Sequence, residues 1–477
     1  MQFSDLIAKI KEYNPHVDED LLMLAYEFAD DAHRGHQRLN GEDFIQHCLA
    51  TSYTLATMQM DTPTIIAGLL HEITDETSIT IDELSKQFGK DVAVLVEGVS
   101  KLGLMKYRGV EKYAENLRKM FIAMAKDIRI IVIKFADRLD NLKTLDALPV
   151  EKRDRIAQEV LEIYVPIANR LGMGRIKTQL EDLAFKYVDP QGYDTLRAQV
   201  EPILDKKEEY LRHIEEIASE DLDVNGIKNF QIVSRVKNLF SIYKKLQTKN
   251  STQVSGLYDL VALRIIVDTI ADCYAVLGII HQHWKPLPGR IKDYITQPKA
   301  NNYRGLHTTI FCEGGEIVEF QIRTREMDQE AKFGIAAHWH YDESGKRATT
   351  PTKDTEWIEE IISLPQNVDN DSEYLSSLKL DAFGDRIFVF TPQGDVINLP
   401  EQSTPVDFAY RIHTDVGMHC VGAKINDTMA SLDSTLQSGD VVEILTDKNR
   451  KKPNVDWLAF VKTTCARSHI RAQLREV

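Results

Sequence analysis

The sequence predicts a multidomain α+β protein with an all-α unit, a mixed α/β domain and a small β-rich module. Apolar residues recur every three or four positions through residues 1–190, with few Gly or Pro interruptions, as in packed helices. Alternating and β-branched segments separated by Gly/Pro loops follow between 230 and 324. A second strand-rich stretch covers 384–446. A chain of 477 residues is long enough for roughly two to four such domains.

Composition narrows the class of protein. A hydrophobic content of 43% and a charged content of 27% indicate a globular chain. No apolar run could span a bilayer and the N-terminus lacks a signal pattern, so we expect a cytoplasmic location. The five cysteines have no C-x-x-C spacing, which argues against a zinc ribbon or a disulfide framework. With a net charge of −15, any anionic substrate needs locally clustered Lys and Arg.

The all-α unit contains a potential metal set. Its four side chains come from three separate predicted helices: His47, His71, Glu72 and Asp137. Imidazole and carboxylate ligands suit Mn²⁺ or a similar divalent ion, whose bound water could attack a phosphate ester or anhydride. On one continuous helix, Asp75 would share a face with His71, and Glu76 with Glu72. A lone helical His is more often an interior or surface group, but a His-acid pair followed by two acids in IIAGLLHEITDET is unusual.

In the mixed domain, the segment VEFQIRT (318–324) is predicted to be a strand with two different faces. Val318, Phe320 and Ile322 form the core face, and Glu319, Gln321 and Arg323 form the opposite face. A further carboxylate, Asp259, lies at the start of an apolar strand, where it could hold a divalent metal against triphosphate oxygens. Two carboxylates could thus serve as metal ligand and base.

Positive charge and aromatic surface accompany these carboxylates. The cations are Arg235, Lys237, Lys244 and Lys245 in RVKNLFSIYKK, with Arg290 and Lys292 in GRIKDYI. An exposed Tyr303, followed by His307, would offer a stacking surface for a base. Taken singly, a Lys/Arg-rich segment is more often a solvated face, so the prediction depends on the whole set.

Together these segments resemble the synthetase domain of RelA/SpoT homologues, in order and in spacing. The matching motifs are RVKNLFSIYKK, YDLVALRIIV, GRIKDYI, NNYRGLHTT, VEFQIRT and FGIAAHWHY. The resemblance implies transfer of pyrophosphate from ATP to the 3′-hydroxyl of GDP or GTP. It implies that Asp259 binds Mg²⁺, Glu319 activates the hydroxyl, and Tyr303 stacks on guanine. Arg235 and Arg264 would sandwich adenine, and Lys237 and Lys245 would hold ATP phosphates.

Three details refine this resemblance. Arg290-Ile291-Lys292-Asp293 is similar to the R-x-K-D element of bifunctional members, which favours GDP as acceptor. The chain has Tyr303-Arg304-Gly305 where family members commonly have Tyr-Gln-Ser. Strict alternation places Asp259 and Arg264 on opposite faces, so both can serve one site only if the strand bulges or twists.

The helical region resembles the HD-type hydrolase domain of the same family, through AHRGHQRLNGEDFIQH, LLHEITDET and KFADRL. The resemblance implies Mn²⁺-dependent removal of the 3′-pyrophosphate of (p)ppGpp, with His47, His71, Glu72 and Asp137 as ligands. Asp75 and Glu76 would orient water, and Arg38 and Asn141 would contact the nucleotide.

This helical region departs from the family pattern. The family has His-Asp followed by Glu-Asp, whereas this chain has His71-Glu72 followed by Asp75-Glu76. All three acids change in length, and a methylene moves a carboxylate by about 1.5 Å. Leu39 stands where a basic residue is usual, and Asp140 where a His is usual. We therefore expect hydrolysis to be retained but weakened.

Residues 384–447 resemble a TGS domain, a small β-grasp fold that senses the 3′ end of uncharged tRNA on the ribosome in long homologues. Either His413 or His419 would contact the terminal base, or both are incidental to a packing module. This sequence does not include the family's later regulatory parts, such as the ACT-type domain, so we expect either a truncated or a naturally short member.

The expected domains are a hydrolase at 1–195, a synthetase at 196–345, a linker at 346–382, a TGS domain at 383–447 and the start of a helical segment at 448–477. Two alternatives stay open. One is a synthetase whose helical domain is regulatory and catalytically poor, and the other is a tRNA or ribosome sensor with relic enzyme domains.

Overall fold

A computed structural model describes residues 1–103, 110–251, 253–254, 260–299, 301–339, 357–358, 384 and 386–475. The chain divides into two units, one from 1–100 with 129–350 and the other from 101–128 with 351–477. The predicted multidomain α+β class is correct. Asp259 and most of the predicted linker lie outside the described residues. No helix within the described ranges is long and apolar enough to cross a membrane.

Helices dominate the first unit up to residue 224, as predicted. They are α1 (Phe3–Lys11), α2 (Glu19–Ala32), α3 (Phe44–Thr57), α4 (Thr62–Leu70), α5 (Ile73–Glu76), α6 (Ile81–Phe88), α7 (Lys90–Gly103), α8 (Val110–Lys126), α9 (Arg129–Lys143), α10 (Val150–Glu159), α11 (Val165–Arg170), α12 (Gly174–Val188) and α13 (Pro190–Val224). Of these, α8 and the last residues of α7 belong to the second unit. A π-helical turn, Val160–Tyr164, joins α10 to α11.

Helix α9 supplies the centre of the helical bundle. It is buried along most of its length and packs against α3, α4 and α12. Its first residue, Arg129, donates to Asp61 (2.8 Å), whose side chain also caps the start of α4. Asp137 of the predicted metal set therefore lies on a buried helix, and His47 and His71 are buried as well.

A six-stranded sheet follows, with strand order β1-β2-β6-β5-β3 and with β4 paired to β5. The strands are β1 (Gln231–Val236), β2 (Val261–Val267), β3 (Lys285–Pro286), β4 (Lys292–Asp293), β5 (Leu306–Phe311) and β6 (Ile317–Thr324). Only the β2–β6 pairing among these is parallel. Three further helices belong here: α14 (Leu239–Thr248), α15 (Ile270–His283) and α16 (Arg325–Phe333).

One face of this sheet is the hydrophobic core. Val318, Phe320 and Ile322 are at most 2% exposed and pack with residues of α13 and α15, which confirms the predicted core face of β6. Burying these large side chains contributes roughly 1.5–3 kcal/mol each. The functional residues consequently lie on the opposite face.

The second unit contains the predicted β-rich module. Its elements are β7 (Arg386–Phe390), β8 (Val396–Pro400), α17 (Pro405–Ile412), α18 (Thr414–Met418), β9 (Cys420–Ile425), β10 (Thr428–Ala430), β11 (Val442–Thr446) and α19 (Thr464–Arg475). Strands β7 and β8 form the expected hairpin, in which Gly394 adopts a φ of +93°. Strands β10, β9 and β11 form a second small sheet.

Two candidate active sites

The first candidate site is a cluster of four metal-ligand side chains in the helical bundle. His47 comes from α3, Asp137 from α9, and His71 and Glu72 from the turn between α4 and α5. One donor atom from each lies within 4.8 Å of the other three. Residues far apart in sequence therefore converge on a volume that a single cation could fill.

The two imidazoles are oriented as metal ligands. His71 Nδ1 lies 2.8 Å from the Gly68 carbonyl oxygen, to which it donates. Its buried Nε2 has no hydrogen-bond partner among the described residues and lies 3.9 Å from Asp137 Oδ1. His47 Nδ1 lies 2.7 Å from Asp140, and its Nε2 lies 3.5 Å from Asp137. A carboxylate or carbonyl on the far nitrogen is the usual support of a metal-bound histidine, so the cluster fits a divalent cation.

The groups around Asp137 and Glu72 keep these two carboxylates ionised. Lys134 Nζ lies 2.9 Å from Asp137 Oδ2, and Asn141 Nδ2 lies 2.5 Å from Oδ1. Burial favours a higher pKa for Asp137, but Lys134 and His47 outweigh it and hold the pKa well below its usual range. Burial likewise raises the pKa of Glu72, but the adjacent His71 imidazole, whose Nε2 lies 3.4 Å from Glu72 Oε1, outweighs burial and lowers that pKa to about 2. Both carboxylates are therefore ionised and able to bind a cation.

Arg38 and Asn141, the predicted nucleotide contacts, lie beside the cluster and bond to each other. Arg38 Nη2 is 2.5 Å from Asn141 Oδ1, and Nη1 is 2.9 Å from Asp140 Oδ2. Asp140 thus connects Arg38 to His47, a role that sequence reasoning missed. Its place three residues after Asp137 on one helix was the available signal.

The expectation of a continuous helix through His71 is wrong. Helix α4 ends at Leu70 and α5 begins at Ile73. The His71 side chain bonds the Gly68 carbonyl, which is the acceptor that the Glu72 amide would use in a continuous helix. Asp75 is exposed and accepts a hydrogen bond from Ser100, and Glu76 is exposed as well. Neither acid therefore shares the buried environment of His71.

The second candidate site is the open face of the six-stranded sheet. Arg264 of β2 and His307 of β5 both lie opposite Gln321 of β6 in the strand register. Strand alternation puts Glu319 and Arg323 on the same face of β6. Arg235 of β1 joins them, since its Nη1 donates to Gln321 Oε1 at 3.1 Å. The predicted polar face is therefore assembled, although Gln321 (5%) and Arg323 (2%) are buried rather than solvated.

Glu319 belongs to a hydrogen-bonded triad with His307 and Tyr303. His307 Nδ1 lies 2.7 Å from Glu319 Oε1, and His307 Nε2 lies 2.6 Å from the Tyr303 hydroxyl. Tyr303 is only partly exposed, which corrects the prediction of an exposed ring. Lys299 and Arg323 cover it, with Nζ and Cζ at 5.1 and 5.7 Å from the ring centroid. A base that stacks on this ring must share it with these cations.

A buried acid that sequence reasoning missed supports the cations. Asp328 of α16 is 3% exposed, and its carboxylate lies 3.4 Å from both Arg264 Nη1 and Arg323 Nε. Lys332 Nζ lies 2.6 Å from the same group. Burial and the neighbouring Arg323 lower the pKa of Arg264 to about 10, so positive charge is crowded here. In sequence, Asp328 and Lys332 have the spacing of an ordinary surface pair, which gave no signal of burial.

The remaining predicted cations lie on the strands of this sheet, just outside them, or on α14. Lys292 of β4 is exposed and lies opposite His307 in the register, and Arg290 is exposed just before it. Lys237 follows β1, and Lys245 is half-buried on α14. The strand that carries Arg264 begins at Val261, so the relation of Arg264 to Asp259 falls outside the described residues.

The local replacement Tyr303-Arg304-Gly305 is accommodated. Arg304 Nη2 lies 3.0 and 2.9 Å from the two carboxylate oxygens of Glu330. Gly305 has a φ of +151°, and a Cβ there would lie 3.2 Å from the Ile322 carbonyl oxygen. A small residue is therefore favoured beside the C-terminal end of β6.

In the second unit, the two candidate histidines flank α18. His413 Nδ1 accepts from the Asp415 amide (3.2 Å), and His419 Nδ1 donates to the Asp415 carbonyl oxygen (2.7 Å). Both rings are held by the same short helix.

Family models match three parts of the chain: "HD domain" at 25–174, "Region found in RelA / SpoT proteins" at 234–346, and "TGS domain" at 387–446. The chain is 45% identical over 473 residues to a guanosine-3′,5′-bis(diphosphate) 3′-pyrophosphohydrolase of Aquifex aeolicus, covering 99% of this chain and 67% of that protein. It is 43% identical over 477 residues to the bifunctional (p)ppGpp synthase/hydrolase SpoT of Escherichia coli K12, covering 100% and 68%.

A GTP pyrophosphokinase of Myxococcus xanthus is 43% identical over 471 residues, covering 98% of this chain and 62% of that protein. This chain therefore spans about two thirds of the length of these curated relatives. Along the chain, the three family models match the helical bundle, then the six-stranded sheet, then the C-terminal module. On this evidence the chain belongs to the RelA/SpoT family.

Proposed function

We propose that this chain makes and degrades the guanosine alarmone (p)ppGpp of the stringent response, in two separate active sites. One observation carries the proposal: the same chain contains two different sites. One is the cluster of His47, His71, Glu72 and Asp137, and the other is the cation-lined sheet face around Glu319. Each has the chemistry that one of the two opposed reactions requires.

For synthesis, Glu319 accepts the proton of the 3′-hydroxyl of GDP or GTP. The hydroxyl oxygen attacks the β-phosphorus of ATP, the pyrophosphoryl group moves to it, and AMP leaves. Arg235 and Arg264 hold adenine, and Gln321 and Arg323 also contact the nucleotides. Charge on the phosphates is balanced by Lys237 and Lys245. Mg²⁺ held by Asp259 would neutralise further phosphate charge.

The acceptor nucleotide, GDP or GTP, binds next to Glu319, where His307 and Tyr303 lie. Tyr303 supplies the stacking surface for guanine, next to His307. Arg290 and Lys292 lie at the β4 edge, where they can meet the 5′-phosphates, and this R-x-K-D element favours GDP over GTP. An exposed pair of cations at an edge suits a ligand that enters from solvent.

For hydrolysis, the four clustered side chains hold a divalent cation, which we assign as Mn²⁺. The bound cation would supply a polarised water for attack on the 3′-pyrophosphate. Arg38 and Asn141 contact the nucleotide at the margin of the cluster. Asp75 and Glu76 orient the attacking water from the outer side.

The altered lengths of Glu72, Asp75 and Glu76 weaken hydrolysis relative to synthesis. A displacement of about 1.5 Å is enough to cost roughly a hundredfold in rate. A second candidate function, a synthetase whose helical domain is chiefly regulatory, is favoured by one observation: Asp75 is exposed and engaged by Ser100.

The domain assignment forms part of the proposal: hydrolase at 1–195, synthetase at 196–345, linker at 346–382, TGS at 383–447, and a helical segment from 448. We assign to the TGS module a contact with the 3′ end of uncharged tRNA on the ribosome through His413 or His419. A cytoplasmic location, where these nucleotides are available, completes the proposal.

Product analysis tests it. The full chain is incubated with radiolabelled GDP, ATP and Mg²⁺, and separately with labelled ppGpp and Mn²⁺, and products are separated by thin-layer chromatography. We expect ppGpp in the first reaction, and GDP with pyrophosphate in the second. Synthesis without hydrolysis would favour the regulatory alternative, and the absence of both, with and without uncharged tRNA, would favour a sensor.

A further inference from the structure

His307 occupies the centre of the triad and touches both other members. Its Nδ1 is 2.7 Å from Glu319 Oε1, and its Nε2 is 2.6 Å from the Tyr303 hydroxyl oxygen. The ring is held edge-on by Tyr294 and Tyr303, with centroid distances of 5.3 and 5.5 Å. Both ring nitrogens are therefore committed to partners within the site.

The direction of each hydrogen bond follows from the chemistry of the partners. An ionised carboxylate can only accept, so the hydrogen between His307 and Glu319 belongs to Nδ1. Burial lowers the pKa of His307 in spite of Glu319, so the ring is neutral and carries one hydrogen. Nε2 is then an acceptor, and Tyr303 must donate its hydroxyl hydrogen to it.

The backbone fixes this arrangement. His307 pairs with Gln321 across the β5–β6 ladder, and Thr309 pairs with Glu319, so His307 and Glu319 are diagonal neighbours on one face. Gln321 Nε2 approaches the same Glu319 oxygen at 3.5 Å. His307 thus orients the Glu319 carboxylate through Nδ1, and Tyr303 orients the His307 ring through Nε2.

We propose that His307 is a positioning residue for Glu319, held in the Nδ1–H tautomer by Tyr303, so that the residue that stacks on the guanine also orients the base. This rests on the proposed function of Glu319 and Tyr303. In ordinary three-part catalytic sites, the base is oriented by a third group in the same manner. Here that third group is His307, and because Tyr303, which fixes His307, belongs to the acceptor-binding surface, acceptor binding and base orientation are physically connected.

The consequence is a specific division between binding and turnover. The Tyr303 ring supplies stacking, whereas its hydroxyl supplies the hydrogen bond to His307. Tyr303→Phe keeps the ring and removes only the hydroxyl. It should therefore lower kcat for synthesis with little change in KM for GDP, whereas Tyr303→Ala should raise KM as well.

Two measurements on the full chain test the proposal. The first is ¹⁵N spectroscopy of the imidazoles, with the His307 signals assigned by their loss in His307→Gln. We expect the Nδ1–H tautomer in the wild type, and loss of that preference in Glu319→Leu. An Nε2–H tautomer in the wild type, or a tautomer indifferent to Glu319→Leu, would overturn the proposal.

The second measurement is synthesis kinetics. Loss of one hydrogen bond corresponds to about a threefold to tenfold fall in kcat. We expect this fall in Tyr303→Phe, with a KM for GDP within about twofold of the wild-type value. Tyr210→Phe is the matched control, because its hydroxyl bonds the Glu313 carbonyl oxygen outside the site. An unchanged kcat in Tyr303→Phe would contradict the proposal. If the wild type made no ppGpp at all, the proposed function would fail, and the spectra would still decide the role of His307.

Discussion

The carboxylate of Asp140 lies 2.7 Å from Nδ1 of His47, so that the other ring nitrogen, Nε2, faces Asp137 in the candidate metal site. Burial acts to lower the pKa of His47, but its hydrogen bonds to Asp137 and Asp140 outweigh burial and raise it. A neighbouring carboxylate of this kind tunes both the orientation and the basicity of a histidine ligand.

Asp140→Ala is therefore expected to weaken Mn²⁺ binding by roughly tenfold to a hundredfold. Isothermal titration of the metal-free chain with Mn²⁺ measures this directly. Asp146→Ala is the matched control, because Asp146 is exposed and pairs with Lys186 instead of a ligand. Equal Mn²⁺ affinity in wild type and Asp140→Ala would show that Asp140 does not support the cluster.

Restoring the family's acid lengths is expected to accelerate hydrolysis. The combined change Glu72→Asp, Asp75→Glu and Glu76→Asp should raise the rate of ppGpp hydrolysis by up to about a hundredfold, since each carboxylate returns to its customary reach. The rate of synthesis serves as the internal control and should stay within about twofold. A hydrolysis rate that falls or does not change would refute the idea that these lengths limit the reaction.

Gly334 is expected to tolerate no side chain. It has a φ of +55°, and a Cβ built on it would lie 2.0 Å from the Leu171 carbonyl oxygen. Gly334→Ala should therefore lower the free energy of unfolding by about 1–3 kcal/mol. A lower unfolding midpoint would show this. Gly278→Ala is the control: nothing lies within 4 Å of its Cβ position in α15, and it should be neutral or slightly stabilising. Matching midpoints for the two variants would contradict this account.

Asp293 of the R-x-K-D element should make stability depend on pH. Burial favours a higher pKa, but the Thr296 amide and the Tyr274 hydroxyl outweigh it and hold the pKa of Asp293 below the ordinary 3.8. Its contribution to stability is therefore present above pH 3.8 and is lost as the pH falls through the lower folded value. Asp293→Ala should lower the unfolding midpoint at pH 7, and this difference should shrink below about pH 4. A difference that grew on acidification would have the wrong sign.

The sequence predicted what periodicity and short spacing control. The alternation of Val318, Phe320 and Ile322 located both faces of β6, because a core face repeats every second residue. The four residues predicted as metal ligands do lie together in the structure, although their convergence requires tertiary structure.

The remaining features depend on contacts that periodicity does not encode. The break after Leu70 depends on a bond between the His71 side chain and a main-chain carbonyl. The partial burial of Tyr303 depends on Lys299 of its own loop and on Arg323 of β6, both of which lie over its ring. Asp328 looks like a surface acid until β2 and β6 place two arginines against it.

The central claim is that two independent sites on one chain catalyse opposed reactions, and one paired assay tests it most directly. Synthesis from ATP and GDP and hydrolysis of ppGpp are measured for the wild type, Glu319→Gln and His71→Ala. We expect Glu319→Gln to lose about a hundredfold or more of synthesis while hydrolysis stays within about twofold, and His71→Ala to show the reverse. Loss of both reactions from either single substitution, in a chain that still folds, would contradict the account.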